Sequence, residues 1–340
     1  HYPLVAPMLQ RILGRDVRLV TATAFVLAAV FAGAAGFTLA IYYGGVSFSM
    51  GLMLGLKALF ASMIGGFGTI AGAVAGAFVL AALETAWTTF FYIGYRDVAV
   101  FGLGLSGIAA AHALATGGAR VLAWDDTQAS RDEAAAQGVT LHDLSSADWS
   151  SIAALVLAPG IPLTDPEPHW SAKQAREACV EVIGDTELFF RELAKEDSGA
   201  KVVVITGTNG KSTTTTLTAH LLQVGGRPVA LGGNIGRAVL DLPQFSPSLT
   251  YVLELSTFQI DLTPSLAADA AALLNVTPDH LDRHGTIENY AAIKARIFDR
   301  LPADGTAVIG VDDDYCRAIA DALRGPYAVK RIAVGHPVET

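Results

Sequence analysis

Residues 201–213 read Lys201-Val-Val-Val-Ile-Thr206-Gly207-Thr-Asn-Gly210-Lys211-Ser212-Thr213, and they decide the fold of most of this 340-residue chain. The apolar run predicts a buried strand, and residues 214–224 continue as a predicted helix. Between them lies a glycine turn ending in Lys-Ser, an arrangement that cradles phosphate with backbone N–H groups. In such a cradle Lys211 reaches the β- and γ-phosphates and Ser212 ligates Mg²⁺. The stretch therefore predicts a P-loop-type ATPase domain of the α/β class.

Further motifs follow this loop, which is shorter than the general P-loop pattern because position 205 is Ile rather than Gly. The segment Tyr251-Val-Leu-Glu254-Leu-Ser256-Thr-Phe-Gln259 ends a predicted strand in a carboxylate, where P-loop enzymes hold their Mg²⁺ acid. Downstream lie Leu274-Asn275-Val-Thr277-Pro-Asp279-His280-Leu-Asp282-Arg283-His284 and a predicted helix over residues 287–300. Taken alone, Glu254 also fits a solvated strand cap and Lys294 a solvated helix lysine.

In this order the motifs resemble those of the Mur ligases, and the short loop also resembles that of folylpolyglutamate synthetases. The resemblance implies ATP and Mg²⁺ as cofactors, with the phosphate loop formed by Gly207, Thr208, Asn209, Gly210, Lys211, Ser212 and Thr213. It implies that the catalytic residues are Lys211, Glu254, His280 and Lys294. The implied metal ligands are Ser212, Glu254, His280 and Lys294, the last modified to a carbamate. A partly desolvated amine suits that modification, since its neutral form can trap CO₂.

A second nucleotide site is predicted nearer the start of the chain. Residues 98–107 read Val98-Ala-Val-Phe-Gly102-Leu-Gly104-Leu-Ser106-Gly107, a short strand that enters a G-x-G-x-x-G turn. An Ala-rich helix, a strand and the pair Asp125-Asp126 follow, which is the βαβ context that a dinucleotide fingerprint requires. The fingerprint alone fits an NAD-dependent oxidoreductase and a protein that binds a UDP-sugar, because both ligands present a pyrophosphate to the helix N-terminus.

Two more segments favour the UDP-sugar, namely Leu157-Ala-Pro159-Gly160-Ile-Pro162 and Val182-Ile-Gly184-Asp185-Thr-Glu187-Leu-Phe. Both resemble the first domain of D-glutamate-adding Mur ligases, although they also fit a strand-end turn and a helix start capped by Asp185. The resemblance implies UDP-sugar binding by Gly104, Leu105, Ser106, Asp126, Thr127, Pro159, Gly160 and Asn234. The choice between Asp125 and Asp126 stays open by one residue.

The first 97 residues differ in character from the rest. Residues 19–43 carry no charge, follow three arginines, and are long enough for a transmembrane helix with a cytoplasmic N-terminus. Residues 51–93 are apolar except for Lys57 and Glu84, and Gly68, Gly72 and Gly76 form a small-xxx-small series. We expect crossings at residues 19–43 and about 69–93, with residues 51–64 re-entrant or packed. A buried, Ala/Gly-rich soluble helix is the alternative.

Part of this region resembles the permeases of branched-chain amino-acid ABC transporters. The resemblance rests on Gly55-Leu-Lys57-Ala, Ile64-Gly-Gly-Phe-Gly68, Leu83-Glu-Thr and Tyr95-Arg-Asp97, which occur in the order found in that family. No linker rich in Gly, Pro or Ser separates these motifs from residues 98–101, which also read as the next strand. A chimeric join is therefore expected, and the ATP-binding domain is expected to be incomplete at residue 340.

Composition limits the partners. Residues 1–97 have a net charge of +2 and the remainder a net charge of −11, so an acidic globular part follows a nearly uncharged one. Clustered Lys/Arg is absent, which argues against nucleic acid. Cys179 and Cys316 form no CxxC or Cys/His pattern, so neither a disulfide framework nor a cysteine metal site is predicted.

The predicted architecture has three parts: an all-α transmembrane, permease-like fragment at residues 1–97, a Rossmann-like UDP-sugar domain at 98–198, and an ATP-binding domain at 199–340. The resemblance implies an ATP-dependent ligase that joins D-glutamate to UDP-N-acetylmuramoyl-L-alanine through an acyl phosphate, in peptidoglycan precursor synthesis. A monomeric, cytoplasmic ligase part is expected, anchored in the bacterial inner membrane through residues 19–93. The alternative is a membrane subunit of a branched-chain amino-acid ABC transporter with an inactive ligase passenger.

Overall fold

The computed structural model describes residues 97–196, residues 198–334 and the helix at residues 70–91. Before that helix it describes only residues 19, 22, 23, 25, 26, 28–30, 32, 33, 37, 58–60 and 62–66. The chain divides into two compact units, His1–Tyr92 and Ile93–Thr340.

In the first unit, helix α1 covers Ile70–Phe91. Among the residues that the structure describes, no helix has both the length and the apolar character that a bilayer crossing requires. The prediction of an all-α transmembrane segment is therefore wrong for the described residues, and a membrane anchor through residues 19–93 loses its support. An uncharged stretch is not enough, because a crossing needs about 20 residues of sustained apolarity in one helix. Most of the first predicted crossing and of residues 51–64 lies outside the described residues.

The second unit begins with a four-stranded parallel sheet of order β2-β1-β3-β4. Its strands are β1 (Asp97–Phe101), β2 (Val121–Trp124), β3 (Ile152–Leu157) and β4 (Glu181–Ile183). Its helices are α2 (Leu105–Thr116), α3 (Gln128–Ala136), α4 (Trp170–Glu177) and α5 (Asp185–Lys195). The predicted strand–glycine turn–helix–strand is confirmed, because β1, the turn, α2 and β2 follow one another. Strand β1 starts one residue before the predicted position.

A six-stranded parallel sheet of order β10-β9-β8-β5-β7-β6 follows. Its strands are β5 (Lys201–Thr206), β6 (Val229–Gly233), β7 (Thr250–Glu254), β8 (Ala270–Leu273), β9 (Thr306–Gly310) and β10 (Ala328–Ile332). Its helices are α6 (Lys211–Val224), α7 (Thr257–Asp261), α8 (Leu281–His284), α9 (Ile287–Ala295) and α10 (Asp314–Ala322). Short 3₁₀ turns occur at Leu144–Ser146, Trp149–Ser151, Val239–Asp241 and Arg296–Phe298. Loops that leave the carboxyl ends of neighbouring parallel strands meet at one edge, where α/β proteins place their ligands.

Helix α5 joins the two sheets. Phe189 and Phe190 are buried in the hydrophobic core of the second sheet, although the helix follows the last strand of the first. The carboxylate of Glu187, which is 0% exposed, accepts hydrogen bonds from the backbone N–H and the hydroxyl of Ser265 at 2.8 and 2.6 Å. The Gly184–Phe189 segment is therefore more than a helix start, because it also packs against the second sheet.

Candidate functional site: two nucleotide loops at the ends of parallel strands

The loop after β5 has the geometry of a phosphate cradle. Gly207 has φ +158°, and a Cβ placed there would lie 2.9 Å from Cβ of Leu274, so the strand β8 end leaves no room for a side chain. Gly210 is left-handed, with φ +81°, and caps the N-terminus of α6. The backbone N–H groups at the start of a helix favour an anion. Of the predicted ATP-loop residues, 207–210 form the turn that follows β5, and 211–213 form the first turn of α6.

Asn275 holds this loop in place. Its side-chain oxygen accepts hydrogen bonds from the N–H groups of Thr208 at 3.1 Å and Asn209 at 2.8 Å. Its side-chain amide donates to the carbonyl of Asn209 at 3.1 Å. The sequence motif contained Asn275, but no role was predicted for it. These three hydrogen bonds tie the phosphate loop to the segment that follows β8.

Two lysines converge on the loop. Lys211 donates to the carbonyl oxygens of Gly207 at 3.0 Å and Thr208 at 2.8 Å. Lys294, which is 1% exposed, donates to the same Gly207 oxygen at 2.9 Å, so the structure brings together two residues 83 positions apart. Burial, reinforced by the charge of Lys211, lowers the pKa of Lys294 to about 7. The alternative of a solvated helix lysine is therefore wrong, and near neutral pH a large share of this amine is uncharged.

Glu254 lies at the end of β7 and is 2% exposed. Its Oε1 accepts a hydrogen bond from the Asn234 side chain at 3.0 Å, whereas Oε2 has no hydrogen-bond partner. Leaving a buried carboxylate oxygen unpaired is costly. A hard cation with oxygen ligands relieves that cost, so the residues present fit Mg²⁺. The solvated-cap reading of Glu254 is excluded by its burial.

His280 is far more exposed than Glu254 and Lys294. It adopts a left-handed conformation with φ +50°, which costs a non-glycine residue roughly 1–3 kcal/mol unless its surroundings impose it. Its side chain is half exposed, and its ring lies 5.1 Å from the ring of Phe258. Within the described part of the chain, no three His, Cys, Asp or Glu side chains gather into a metal site. A metal at Glu254 would therefore complete its shell with Ser212, His280, modified Lys294, phosphate oxygens or water.

A second site lies between the loops of the two sheets, in a cavity of about 470 Å³. The lining includes predicted UDP-sugar residues from three loops, namely Gly104, Leu105, Ser106, Pro159, Gly160 and Asn234. Leu105 is 76% exposed, which is unusual for leucine and suits contact with a ligand. Asn234 thus lines this cavity while its amide holds Glu254, so one residue links the two predicted sites.

At the end of β2, the structure places Asp125 rather than Asp126 at the wall of the cavity. Asp125 lines the cavity, and its carboxylate accepts hydrogen bonds from the N–H groups of Leu103 at 2.7 Å and Thr127 at 2.8 Å. Burial opposes its ionisation, but these bonds outweigh burial and hold the pKa of Asp125 below its usual value. The carboxylate of Asp126 instead binds the side chains of His169 at 3.0 Å and Trp170 at 3.1 Å. Asp126 and Thr127 are not among the lining residues.

Two family models match the chain. The Mur ligase middle domain matches residues 205–336, which run from the end of β5 through β10. A model described as branched-chain amino acid transport system / permease component matches residues 7–110, which supports the predicted permease-like segment and overlaps β1 and the start of α2.

Relatives match the second unit closely. UDP-N-acetylmuramoylalanine--D-glutamate ligase of Chelativorans sp. (strain BNC1) is 56% identical over 245 residues, covering 72% of this chain and 52% of that protein. The protein of the same name from Brucella abortus (strain 2308) is 56% identical, covering 68% and 49%. The chain thus spans about half the length of these curated relatives. Among solved structures, UDP-N-acetylmuramate:L-alanyl-gamma-D-glutamyl-meso-diaminopimelate ligase from Neisseria meningitides aligns at 15% identity and a TM-score of 0.47, covering 70% of this chain and 78% of that one. Residues 205–336 are therefore similar to the Mur ligase middle domain.

Proposed function

We propose that the chain supplies the nucleotide-sugar and ATP sites of a ligase that joins D-glutamate to UDP-N-acetylmuramoyl-L-alanine at the expense of ATP, with Mg²⁺ as cofactor. The names of its relatives support the UDP-sugar and D-glutamate as substrates. We propose a cytoplasmic reaction because ATP and the UDP-sugar are cytoplasmic metabolites. The observation that carries the proposal is the buried Glu254 carboxylate, one oxygen of which binds Asn234 of the sugar cavity while the other is unpaired.

The first step joins the carboxylate of the L-alanine moiety to the γ-phosphate of ATP. A carboxylate oxygen attacks phosphorus, the bond to the β–γ bridging oxygen breaks, and ADP leaves with that electron pair. The Lys211 ammonium donates hydrogen bonds to two loop carbonyls in the structure. When ATP binds, it would donate instead to the γ-phosphate oxygens, which gain charge during transfer. Mg²⁺ at Glu254 and Ser212 would neutralise phosphate charge when bound.

The second step forms the amide. The neutral amine of D-glutamate attacks the acyl phosphate carbon, the carbon–oxygen bond to phosphate breaks, and the amine loses a proton to solvent. The cavity between the loops of the two sheets is proposed to hold the UDP-sugar with its carboxylate near ATP. Positioning of this kind can supply about 7–11 kcal/mol of the barrier. Lys294 is proposed to react with CO₂ as its neutral amine, which converts a buried neutral amine into a carbamate anion and releases one proton.

The reaction class is tested with the full chain and with heavy oxygen in the alanine carboxylate of UDP-N-acetylmuramoyl-L-alanine. With ATP, Mg²⁺ and D-glutamate, the released phosphate should carry one labelled oxygen, since that oxygen leaves with phosphorus. Unlabelled phosphate would mean hydrolysis of ATP by water and would contradict an acyl phosphate. Titration with NADH tests the alternative of an NAD-dependent oxidoreductase, because such an enzyme binds NADH and a UDP-sugar enzyme should not.

Replacing Lys211 with alanine is expected to weaken binding of a non-hydrolysable ATP analogue at least tenfold. A lost hydrogen bond to a charged group is worth about 1.5–3 kcal/mol. Calorimetric titration of the full chain with the analogue and Mg²⁺ measures the change. Lys195→Ala is the matched control, since Lys195 is exposed and pairs only with Glu192 in the structure. Unchanged affinity in folded Lys211→Ala would remove Lys211 from the phosphate site.

A further inference from the structure

Arg283 connects the two predicted binding sites directly. It lies on the one-turn helix α8, which immediately follows His280. Its guanidinium donates to the carbonyl oxygens of Gly160 at 2.9 Å and Ile161 at 3.0 Å, across 123 and 122 positions of sequence. Gly160 and Ile161 line the UDP-sugar cavity. One side chain of the ATP-binding half therefore holds two consecutive backbone groups of the sugar-binding loop.

The contact continues on both sides of Arg283. On the sugar side, Ile161 packs against Gly102, the first glycine of the G-x-G-x-x-G turn, where an added Cβ would lie 3.1 Å from Ile161 Cγ1. On the ATP side, the Arg283 guanidinium lies 4.6 Å from the centre of the Phe258 ring, and that ring also contacts the ring of His280 at 5.1 Å. The contacts therefore form one series of five residues: Gly102, Ile161, Arg283, Phe258 and His280.

The position of His280 depends on this series. Its left-handed backbone is held by the carbonyl of His280 itself, which accepts hydrogen bonds from the N–H groups of Arg283 at 3.0 Å and His284 at 3.2 Å. A four-residue helix with half-exposed ends has little stability of its own. The hydrogen bonds from Arg283 to the loop at residues 158–161, which follows β3, therefore stabilise the turn that positions His280.

We propose that Arg283 is a positioning residue that couples the two sites, so that a bound UDP-sugar and bound Mg²⁺-nucleotide each raise the affinity of the other. This inference rests on the proposed function, because it takes the cavity ligand to be a nucleotide sugar. A ligand that orders the 158–161 loop orders Arg283, and Arg283 then holds the turn that carries His280. Coupling between sites is reciprocal, so either ligand can report it.

The test is a pair of calorimetric titrations of the full chain with UDP-N-acetylmuramoyl-L-alanine, without and with a saturating non-hydrolysable ATP analogue and Mg²⁺. In the wild type, the nucleotide should tighten sugar binding on the order of tenfold. In Arg283→Met the gain should fall to less than about twofold, because methionine keeps the length of the stem but donates no hydrogen bond. Arg283→Lys should retain an intermediate gain, because an ammonium keeps the charge but lacks the planar fork for two carbonyls.

The matched control is Arg296→Met, which removes a half-buried guanidinium from the same half of the unit, where it pairs with Asp261 at 3.0 Å. This variant should keep the full wild-type gain. If Arg283 had a purely structural role, Arg283→Met would weaken UDP-sugar binding equally without and with the nucleotide. The ratio of the two affinities would then equal that of the wild type, and that result overturns the inference. A wild-type chain that binds the sugar but shows no gain overturns it as well. A wild-type chain that binds no UDP-sugar at all overturns the proposed function instead.

Discussion

Replacing Gly107 with alanine is expected to lower the free energy of unfolding by about 3 kcal/mol and to abolish nucleotide-sugar binding. A Cβ at Gly107 would lie 1.9 Å from the carbonyl oxygen of Gly102, and that neighbour is backbone, so the turn itself must move. Alanine lowers the conformational entropy of the unfolded chain, and without a clash this change would stabilise the protein by about 0.4–1 kcal/mol. That gain is smaller than the energetic cost of the clash. The expected net loss corresponds to a melting temperature lower by roughly 6–12 °C.

The matched control for this prediction lies three residues away in the same turn. Gly104 has φ −80°, and a Cβ added there would meet nothing within 4 Å, so Gly104→Ala should unfold like the wild type. Thermal and urea unfolding of both variants measure the difference, and titration with UDP-N-acetylmuramoyl-L-alanine measures binding by the Gly107 variant. Equal stability of the two variants would show that the turn accommodates a side chain, which contradicts the close approach of Gly107 to Gly102.

The second large effect concerns the pH dependence of stability at Lys294. Its pKa in the folded chain is about 7, against 10.5 for an unperturbed lysine. Between these values the unfolded state binds more protons than the folded state, so stability rises with pH and the burial penalty is greatest below pH 7. From pH 7 to pH 9 this single group should add about 2 kcal/mol to the free energy of unfolding.

Lys294→Met should remove that increment, because methionine fills a similar volume without a charge. Urea unfolding at pH 7 and pH 9 in CO₂-free buffer gives the difference, since a carbamate would alter the titration. Lys201→Met is the control: hydrogen bonding and charge from Asp269 raise the pKa of Lys201, so its contribution is constant in this window. If Lys294→Met keeps the wild-type rise in stability, Lys294 is not titrating near neutral pH.

Local sequence was sufficient wherever the deciding residues are contiguous. The phosphate loop could be predicted directly because β5, its glycines and α6 follow without interruption, and a short apolar run bounded by a glycine turn is a local signal. The same holds for β1, the G-x-G-x-x-G turn and α2. The places of Gly104, Ser106 and Lys211 on these loops were therefore predictable from the motif, and their binding roles stay predictions.

Contacts between distant segments were not predictable in this way, since sheet order decides which loops become neighbours. Nothing local distinguishes Asp125 from Asp126, and only the backbone direction at the end of β2 turns one toward the cavity and the other toward His169. The membrane prediction failed for a related reason. Apolar composition is a property of a stretch, whereas a crossing depends on the helix that the stretch forms.

The sequence by itself determined the parallel α/β class, the two nucleotide loops and the residue types at each, because strand and helix periods and glycine turns act over a few residues. Only the tertiary structure decided that Lys294 and Lys211 share one carbonyl, that Asn275 supports the loop, and that Arg283 reaches Gly160. Those arrangements follow from packing β8 beside β5 and from docking helix α5 on the second sheet. Burial and neighbouring charge then alter the lysine pKa and leave a glutamate oxygen unpaired, which no local pattern records.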